Sequence, residues 1–424
     1  MDDINLSSSR RAFLRGSVAL AGATAAGGAA ASQPDPLITE LQDWASITGE
    51  GVDETPYGLP IEFESDVIRR NVPWLTADPI SSINFTPIHA LDGTITPQGC
   101  AFERHHSGAI ELRKEDYRLM INGLVDTPLV FTYEDIERFP RENHVYFCEC
   151  AANTGMEWAG AQLNGVQFTH GMIHNMEYTG VPLRLLLKEA GLDRAGDLSD
   201  KWVYVEGADA SSNGRSIPME KALDDVIVAF KANGEALRKE HGYPVRLVVP
   251  GWEGNMWVKW LRRIEVTDMA VESREETSKY TDVLEDGTAR KWTWVMDAKS
   301  VITSPSPQSP IPHGPGPLVI SGLAWSGHGK ITRVDVSKDG GMNWETARLG
   351  KQGDSKALTR FYLDTEWDGE EMLLQARAMD ETGYVQPTKD ALREVRGENS
   401  VYHNNCIQTW FVNKDGEAEN VEVS

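Results

Sequence analysis

Two cysteines that lie two residues apart, Cys148 and Cys150, are the first candidates for chemistry in this sequence. They end a β-branched and aromatic run that predicts a buried strand, so both thiols lie on one face of that strand, just before a loop. Thiols placed in this way can bind a soft metal, form a redox pair or pack in the core. The local pattern leaves these three alternatives open, although the end of a strand is a common place for a functional residue.

A second cluster lies at residues 102–106, where Arg104 is followed by His105 and His106. A guanidinium can donate two hydrogen bonds to an oxyanion, and a protonated histidine adds positive charge, so the cluster is typical of an anion site. Adjacent histidines can also bind zinc, but the nearby residues do not complete a set of zinc ligands.

A third cluster spans residues 241–260 and carries several glycines between Arg246 and Lys259. A glycine-bearing loop after a strand can hold a phosphate through its backbone N–H groups and two fixed cations. The alternative is a turn with solvated basic residues, and the local pattern does not separate the two.

Strands and short helices must position these clusters. The alternating or β-branched runs predict strands at Tyr117–Val125, His144–Cys150, Lys201–Glu206 and Val245–Val249. Thr132 with Asp135 predicts a capped helix start, and Pro182–Ala190 followed by Gly191 predicts a helix with one leucine face.

The last third of the chain has a different pattern. Six prolines within Ser304–Pro317 predict a stiff extended connector. Beyond it, short alternating runs separated by turns predict an all-β sandwich with almost no helix. The expected strands are Lys330–Ser337 and Met342–Leu349 as a hairpin, then Phe361–Asp364, Met372–Met379 and Gln408–Asn413.

The first 31 residues resemble an export signal, because Arg10 and Arg11 precede a mild alanine- and glycine-rich run. Such a twin-arginine signal predicts the periplasm as the working compartment. Residues 32–95 are rich in proline, aspartate and threonine, and predict an extended segment anchored by aromatic residues such as Trp44 and Trp74.

Composition excludes several classes of protein. With 424 residues and a net charge of -23, the chain is a folded, acidic protein that is not expected to bind nucleic acid or an anionic membrane. Four cysteines exclude a disulfide scaffold, and no Cys-x-x-Cys-His motif is present to attach a c-type haem.

Five motifs in order carry a family resemblance. Phe-x-Arg-x-His, Cys-Ala-x-Asn, Gly-x-Ser-Ile-Pro, His-Gly-x-Pro-Val-Arg and Val-Lys-Trp precede an Ala-Trp-Ser-Gly motif, and together the set resembles the sulfite oxidase family of molybdopterin enzymes. The resemblance implies an α+β molybdopterin-binding catalytic domain at residues 96–290. It also implies an immunoglobulin-like dimerisation domain, an all-β sandwich, at residues 291–424.

The resemblance assigns roles position by position. It implies that Cys150 is the one thiolate ligand of molybdenum, that Tyr280 lies beside the metal, and that Arg104 attracts an anionic substrate. It leaves Cys148 as a packed thiol. The residues that it assigns to the pterin and its phosphate are Phe102, Arg104, His105, His106, Asp209, His241, Arg246, Trp257, Val258 and Lys259.

Three departures from the family pattern concern the substrate. Thr154 and Gly155 stand where the family often has two arginines, Lys330 stands for an arginine, and residues 174–178 replace a tryptophan-bearing segment. A site that binds free sulfite needs several fixed cations around a small dianion. The departures resemble the molybdenum subunits of periplasmic sulfane dehydrogenases, which implies oxidation of a persulfide on a sulfur-carrier protein by oxygen-atom transfer, with water as the oxygen source.

The resemblance further implies a homodimer through the C-terminal domain and a c-type cytochrome subunit as electron acceptor, in an α2β2 assembly. The close alternative is a sulfite dehydrogenase that oxidises free sulfite. A methionine-sulfoxide reductase of the same superfamily is disfavoured because such enzymes lack the C-terminal β domain, and a cofactor-free binding subunit is disfavoured by the complete set of cofactor residues.

We predict that Cys150→Ser abolishes turnover, because a hard hydroxyl replaces a soft sulfur ligand, whereas Cys148→Ser mainly lowers stability. Steady-state rates and thermal unfolding of both variants check this. The assignment is wrong if the serine at position 148 inactivates the enzyme and the serine at position 150 does not.

Overall fold

Two five-stranded sheets build the first half of the chain. The computed structural model describes residues 58, 60–76, 78–192, 197–284 and 286–423, and residues from Pro60 onward form one unit. The predicted export signal and Trp44 lie outside the described residues. The strands of this half are β1 (Arg70–Asn71), β2 (Asn84–Phe85), β3 (Arg118–Gly123), β4 (Leu129–Thr132), β5 (Glu142–Glu149), β6 (Ile173–Pro182), β7 (Trp202–Gly207), β8 (Gly214–Pro218), β9 (Ile227–Ala232), β10 (Glu235–Ala236), β11 (Arg246–Val248), β12 (Leu261–Thr267), β13 (Thr281–Val283) and β14 (Ala289–Lys291).

One sheet has the order β10-β9-β6-β5, with β11 paired to β9, and the other has the order β4-β3-β12-β7-β8. Only the β3–β12 pair among these two sheets is parallel. The helices of this half are α1 (Tyr133–Glu137), α2 (Val166–His170), α3 (Leu183–Glu189), α4 (Met219–Asp224) and α5 (Arg274–Thr277). Short 3-10 turns lie at Glu62–Glu64, Pro73–Leu75, Gln98–Cys100, Gly155–Ala159, Lys239–His241 and Gly254–Met256.

The second half is a sandwich of a four-stranded and a five-stranded sheet. Its elements are β15 (Lys299–Ser304), β16 (Gly316–Trp325), β17 (Ile331–Ser337), β18 (Glu345–Thr346), β19 (Arg348–Leu349), β20 (Thr359–Trp367), β21 (Met372–Asp380), α6 (Lys389–Arg396), β22 (Thr409–Val412) and β23 (Ala418–Val421). The sheet orders are β15-β16-β20-β19 and β18-β17-β21-β22-β23. Trp325, Phe361 and Trp410 are fully buried between the sheets. An α+β half followed by an all-β sandwich, as the sequence predicts, is confirmed.

Local signals place several elements well. Helix α3 buries Leu183, Leu186 and Leu187 and is followed by Gly191 at φ +82°, where a residue with a side chain would be strained. Thr132 and Asp135 form the predicted capping box of α1. Both helices therefore begin or end where the sequence predicts.

Four expectations need correction. The stretch 342–349 is not one strand, because β18 pairs with β17 whereas β19 crosses to β20 in the other sheet. The proline-rich connector is not simply extended, since Ser306 and Ser309 form a turn with two mutual backbone hydrogen bonds of 2.9 Å. Helix α6 interrupts the sandwich, and its start is marked by the Thr388 cap. Trp74 does not anchor the N-terminal segment, because 67% of its surface is exposed.

A backbone contact between two glycines joins the two halves. Met296 N–H donates to the Gly251 carbonyl at 3.0 Å, and Gly327 N–H donates to the Met296 carbonyl at 2.7 Å. A Cβ atom on either Gly251 or Gly327 would overlap the backbone of the other glycine.

No helix in the described part of the chain is long and apolar enough to cross a bilayer.

We predict that Gly327→Ala lowers the free energy of unfolding by about 1–3 kcal/mol, because the added methyl group overpacks a contact between two backbones. Chemical denaturation of the full chain measures the loss. Gly314→Ala is the matched control, since a Cβ at that glycine meets no atom within 4 Å. Equal stability of the two variants would contradict the assignment of this contact.

Candidate active site

A polar cavity lies between the edges of the two sheets of the first half. The cavity opens to the surface, and most of its lining side chains are polar or charged. The residues that line it are Phe102, Glu103, Arg104, His105, His106, Cys148, Cys150, His174, Asp209, Asn213, Glu240, His241, Arg246, Gly254, Asn255, Trp257, Lys259, Trp260 and Tyr280.

Ends of strands deliver the chemistry-bearing side chains. Cys148 is the next-to-last residue of β5. Cys150 follows the strand, and its N–H donates to the Met172 carbonyl at 3.0 Å. Arg246 opens β11, and Asp209 follows β7 by two residues. Burial raises the pKa of the Cys150 thiol and raises that of Cys148 to about 12, so neither thiol ionises readily without a cation or metal beside it.

Two buried cations face backbone carbonyls in this cavity. Arg246 donates to the carbonyls of His241 at 3.2 Å and Trp257 at 3.1 Å. Lys259 donates to the carbonyls of Arg104 at 3.1 Å and Glu240 at 3.0 Å, and burial together with Arg246 lowers its pKa to about 7. No carboxylate in the described part of the chain forms a salt bridge with either side chain. An anionic ligand in the cavity would pair directly with both side chains.

The histidines of the cavity are neutral hydrogen-bonding groups. Burial lowers the pKa of His174 and of His241 well below the usual range, and burial with Arg104 and Lys279 lowers that of His106 to about 4. One ring nitrogen of His241 lies 3.3 Å from the Phe102 carbonyl, and one of His174 lies 2.9 Å from the Tyr178 hydroxyl. The other nitrogen of each ring has no partner in the protein.

Several buried polar atoms of the lining residues have no hydrogen-bond partner in the protein, which indicates a polar ligand. Buried polar groups are normally hydrogen-bonded, so several orphans around one cavity require an external partner. The buried atoms without a partner that belong to lining residues are His174 Nδ1, Asp209 Oδ1, Asn213 Oδ1, His241 Nδ1, Asn255 Nδ2 and Trp260 Nε1. Donors, acceptors and two cations in one cavity fit a heterocycle that carries a phosphate.

A second cavity, which is mostly apolar, meets the first at Cys150 and Arg104. Both residues line both cavities. The other residues that line the second cavity are Leu75, Thr76, Ile83, Phe85, Ala152, Thr154, Gly155, Met156, Glu157, Leu163, Phe168, Thr169, Met172 and Val401. Thr154 and Gly155, which depart from the family pattern, therefore lie where a small molecule could reach Cys150.

Arg104 and Tyr280 flank the junction of the two cavities. The Arg104 guanidinium donates to the His105 carbonyl and to the Ser82 carbonyl, the latter at 3.4 Å. Tyr280 stacks on Tyr402 with ring centroids 5.1 Å apart, and the Arg215 guanidinium lies 4.9 Å from the Tyr280 ring centre. Burial raises the pKa of Tyr280, so its hydroxyl stays protonated as a donor.

The structure brings eleven of the twelve sequence-predicted site residues to the first cavity. The exception is Val258, whose side chain is buried beside it without lining it. The i, i+2 spacing to Cys150 made Cys148 a candidate, but the resemblance left it as a packed thiol, whereas it lines the cavity. The other lining residues to which the sequence assigned no role are Glu103, His174, Asn213, Glu240, Gly254, Asn255 and Trp260. All four cysteines are free, which includes Cys100 and Cys406.

Metal binding by a cluster of side chains finds no support. Within the described ranges, no group of three or more histidine, cysteine or acidic residues is placed to hold an ion. The histidine pair at 105–106 therefore has no zinc set around it.

Comparisons with known proteins show the family to which the chain belongs. Residues 106–275 match the oxidoreductase molybdopterin binding domain, and residues 290–410 match the Mo-co oxidoreductase dimerisation domain. Sulfite oxidase of Gallus gallus is 31% identical over 382 residues, which cover 83% of this chain and 82% of that protein. The chain belongs to the sulfite oxidase family.

Two further proteins differ in how much of their length matches this chain. The NADH nitrate reductase of Solanum lycopersicum is 32% identical, and the match covers 75% of this chain but only 38% of that longer protein. The crystal structure of the sulfane dehydrogenase SoxCD from Paracoccus pantotrophus matches with a TM-score of 0.88 and 74% identity, over 93% of this chain and 100% of that one. This chain is a molybdopterin oxidoreductase with the fold that the sequence predicts.

The residues of the first cavity fit a molybdopterin. Its phosphate would pair with Arg246 and Lys259, its heterocycle would pair with the unpartnered donors and acceptors, and Cys150 would offer a soft ligand for the metal. The fit rests on the chemistry of this donor set as well as on the family.

We predict that Lys259→Met lowers the retained pterin about tenfold or more, because a charge-assisted hydrogen bond to an anion is lost. Retention by the wild-type chain falls as pH rises above about 7, where uncharged Lys259 binds the anion less well, and the variant loses this dependence. Pterin fluorescence after dialysis at about pH 6 and about pH 9 measures both effects. Lys351→Met, at an exposed position, is the control; equal retention by the two variants would refute the role of Lys259.

Proposed function

We propose that this chain is a periplasmic molybdenum oxidoreductase that oxidises the sulfane sulfur of a cysteine persulfide on a carrier protein. The apolar second cavity beside Cys150 is the observation that carries this proposal. A carrier-bound persulfide presents a polarisable sulfur on a peptide, and that substrate suits apolar walls better than a free dianion does.

The charge of the second cavity supports a carried substrate over free sulfite. Arg104 and Glu157 are its only charged lining residues. Burial raises the pKa of Glu157, and its oxygens are turned to donors outside the cavity, the Gln162 N–H at 3.3 Å and Asn420 Nδ2 at 2.8 Å. One fixed cation is far short of the set that a small dianion needs in a dehydrated site.

The backbone also restricts the cavity at the positions that depart from the family pattern. A Cβ atom on Gly155 would lie 2.5 Å from the Val401 carbonyl oxygen, so an arginine cannot replace this glycine without moving the backbone. Thr154 is buried with φ +68°. The local backbone of this chain therefore disfavours arginine at these two positions.

The residues of the first cavity and of the junction have distinct roles in the proposed reaction. Cys150 would hold the molybdenum, and Arg246, Lys259 and His241 would hold the pterin and its phosphate. When bound, the cofactor supplies oxygen-atom transfer coupled to a two-electron change, with water as the source of oxygen. Arg104 would stabilise the negative charge that develops on the oxidised sulfur group. Protonated Tyr280 would donate a hydrogen bond to the same group.

The apolar residues of the second cavity keep bulk water away from the reacting sulfur. Phe168, Met172 and Leu163 form part of this wall. Water exclusion strengthens the pull of Arg104 on an anionic product group, because the local dielectric is low.

The high identity to the sulfane dehydrogenase SoxCD supports the same substrate class. Electrons then have to leave this chain, which carries no Cys-x-x-Cys-His motif. We propose a c-type cytochrome subunit as the acceptor, in an α2β2 assembly with a homodimer through the C-terminal domain, which matches a dimerisation domain. The catalytic domain at 96–290, the sandwich at 291–424 and the export signal at 1–31 belong to the same proposal.

A sulfite dehydrogenase is the alternative, and Arg104 with the 31% identity to chicken sulfite oxidase favours it. The two functions differ in the charge that the second cavity must accept. A cation added to that cavity separates them.

We predict that Met156→Arg raises kcat/KM for free sulfite about tenfold, because a second cation enters the cavity, and lowers turnover of the persulfidated carrier. Met156 lines the cavity and is 37% exposed, so the longer side chain can be accommodated. Met342→Arg, at a 78% exposed position of the sandwich, is the matched control. The proposal fails if the wild-type enzyme turns over free sulfite faster than the persulfidated carrier.

A further inference from the structure

A fully buried carboxylate stands next to the proposed metal ligand. Glu149 precedes Cys150 and is 0% exposed. Its Oε1 accepts from Lys299 Nζ at 3.0 Å and from Asn153 Nδ2 at 2.9 Å, and its Oε2 accepts from Trp325 Nε1 at 2.6 Å. Three donors thus satisfy the carboxylate on both oxygens.

Two of these donors come from the β sandwich. Lys299 is the first residue of β15 and Trp325 is the last residue of β16, and the two are directly paired across the strands. Lys299 also donates to the Asn153 carbonyl at 3.3 Å. The edge of the second half therefore reaches both ends of the loop that carries Cys150.

The third donor, Asn153, closes that loop. Its N–H donates to the Cys150 carbonyl at 2.9 Å, and its side-chain oxygen accepts from Met172 N–H at 3.1 Å. Met172 in turn accepts from Cys150 N–H at 3.0 Å. An unbroken path of hydrogen bonds links the sandwich, through Glu149 and Asn153, to the backbone of Cys150.

We propose that Lys299 and Trp325 are positioning residues, which fix through Glu149 the direction in which the Cys150 sulfur faces the cofactor cavity. This inference rests on the proposed role of Cys150 as metal ligand. Residues that hold a ligand in place control metal affinity although they do not touch the metal, and their loss commonly costs about 10–100-fold in affinity.

Stability alone does not account for the arrangement. A buried ion pair adds little net stability compared with well-packed apolar residues, because both charges lose their water. A lysine and a tryptophan that converge on one carboxylate do restrict its rotation, and with it the neighbouring residue. The benefit is therefore geometric, and a test must measure geometry at Cys150.

Trp325→Phe is the mildest test, because it removes one N–H and keeps a buried aromatic ring. Trp410→Phe is the matched control: Trp410 is also 0% exposed in the sandwich, and its Nε1 donates to the Ile302 carbonyl at 2.9 Å. Both variants lose one buried hydrogen bond, so both should unfold more easily, and Trp325→Phe more so because its acceptor is a carboxylate. A loss of stability alone therefore does not distinguish positioning from packing.

Three readouts separate positioning from packing. In the holoenzyme, we expect Trp325→Phe to release molybdenum about tenfold faster on dialysis and to shift the electron paramagnetic resonance of the half-reduced metal. In cofactor-free protein, we expect a changed rate of alkylation of Cys150 by iodoacetamide, followed on its peptide by mass spectrometry. Trp410→Phe should leave all three unchanged.

A double variant, Lys299→Met with Glu149→Gln, checks the ion pair without leaving a lone buried charge, and should show the same changes. The inference is overturned if Trp325→Phe and Trp410→Phe behave alike in metal release, resonance and alkylation. A wild-type chain that binds no molybdenum would instead refute the proposed function, and the alkylation rates would still decide whether the sandwich positions Cys150.

Discussion

Two buried basic side chains that have no salt-bridge partner among the described residues are the constraint on which the rest of the first cavity depends. Arg246 and Lys259 are buried against backbone carbonyls, with no carboxylate paired to either in the described residues. Such a cavity is costly for the protein alone, because desolvation disfavours the charged forms. The surrounding neutral histidines and orphaned amides are then parts of the same arrangement, since only a polar, anionic ligand can satisfy all of them together.

Cys150 stands where two different environments meet. On one side is the polar cavity with its cations, and on the other is an apolar cavity in which Arg104 is the only fixed positive charge. Under the proposed function, this separation places cofactor binding and substrate binding on different surfaces of one short loop. The reacting group of a substrate then meets the cofactor only at the junction, where Tyr280 and Arg104 also lie.

Local patterns predicted many of the elements, whereas the site residues came from the family resemblance. The capping box at Thr132 and the leucine face of α3 are short-range signals, and the structure has both. Eleven of the twelve predicted site residues line the cavity because ordered motifs carry them. His174 and Asn255 could not be predicted, since their positions depend on strand register and loop packing that link distant parts of the chain. Trp74 failed as an anchor because aromaticity alone does not specify which side of a segment is covered.

The ion pair of Glu149 also has a consequence for the biosynthesis of the protein. Its partners Lys299 and Trp325 lie 150 and 176 positions further along the chain. During translation, the loop of Cys150 therefore leaves the ribosome long before the side chains that complete its hydrogen bonds. The hydrogen bonds that complete this loop therefore form only after synthesis has passed β16, whose last residue lies 176 positions beyond Glu149.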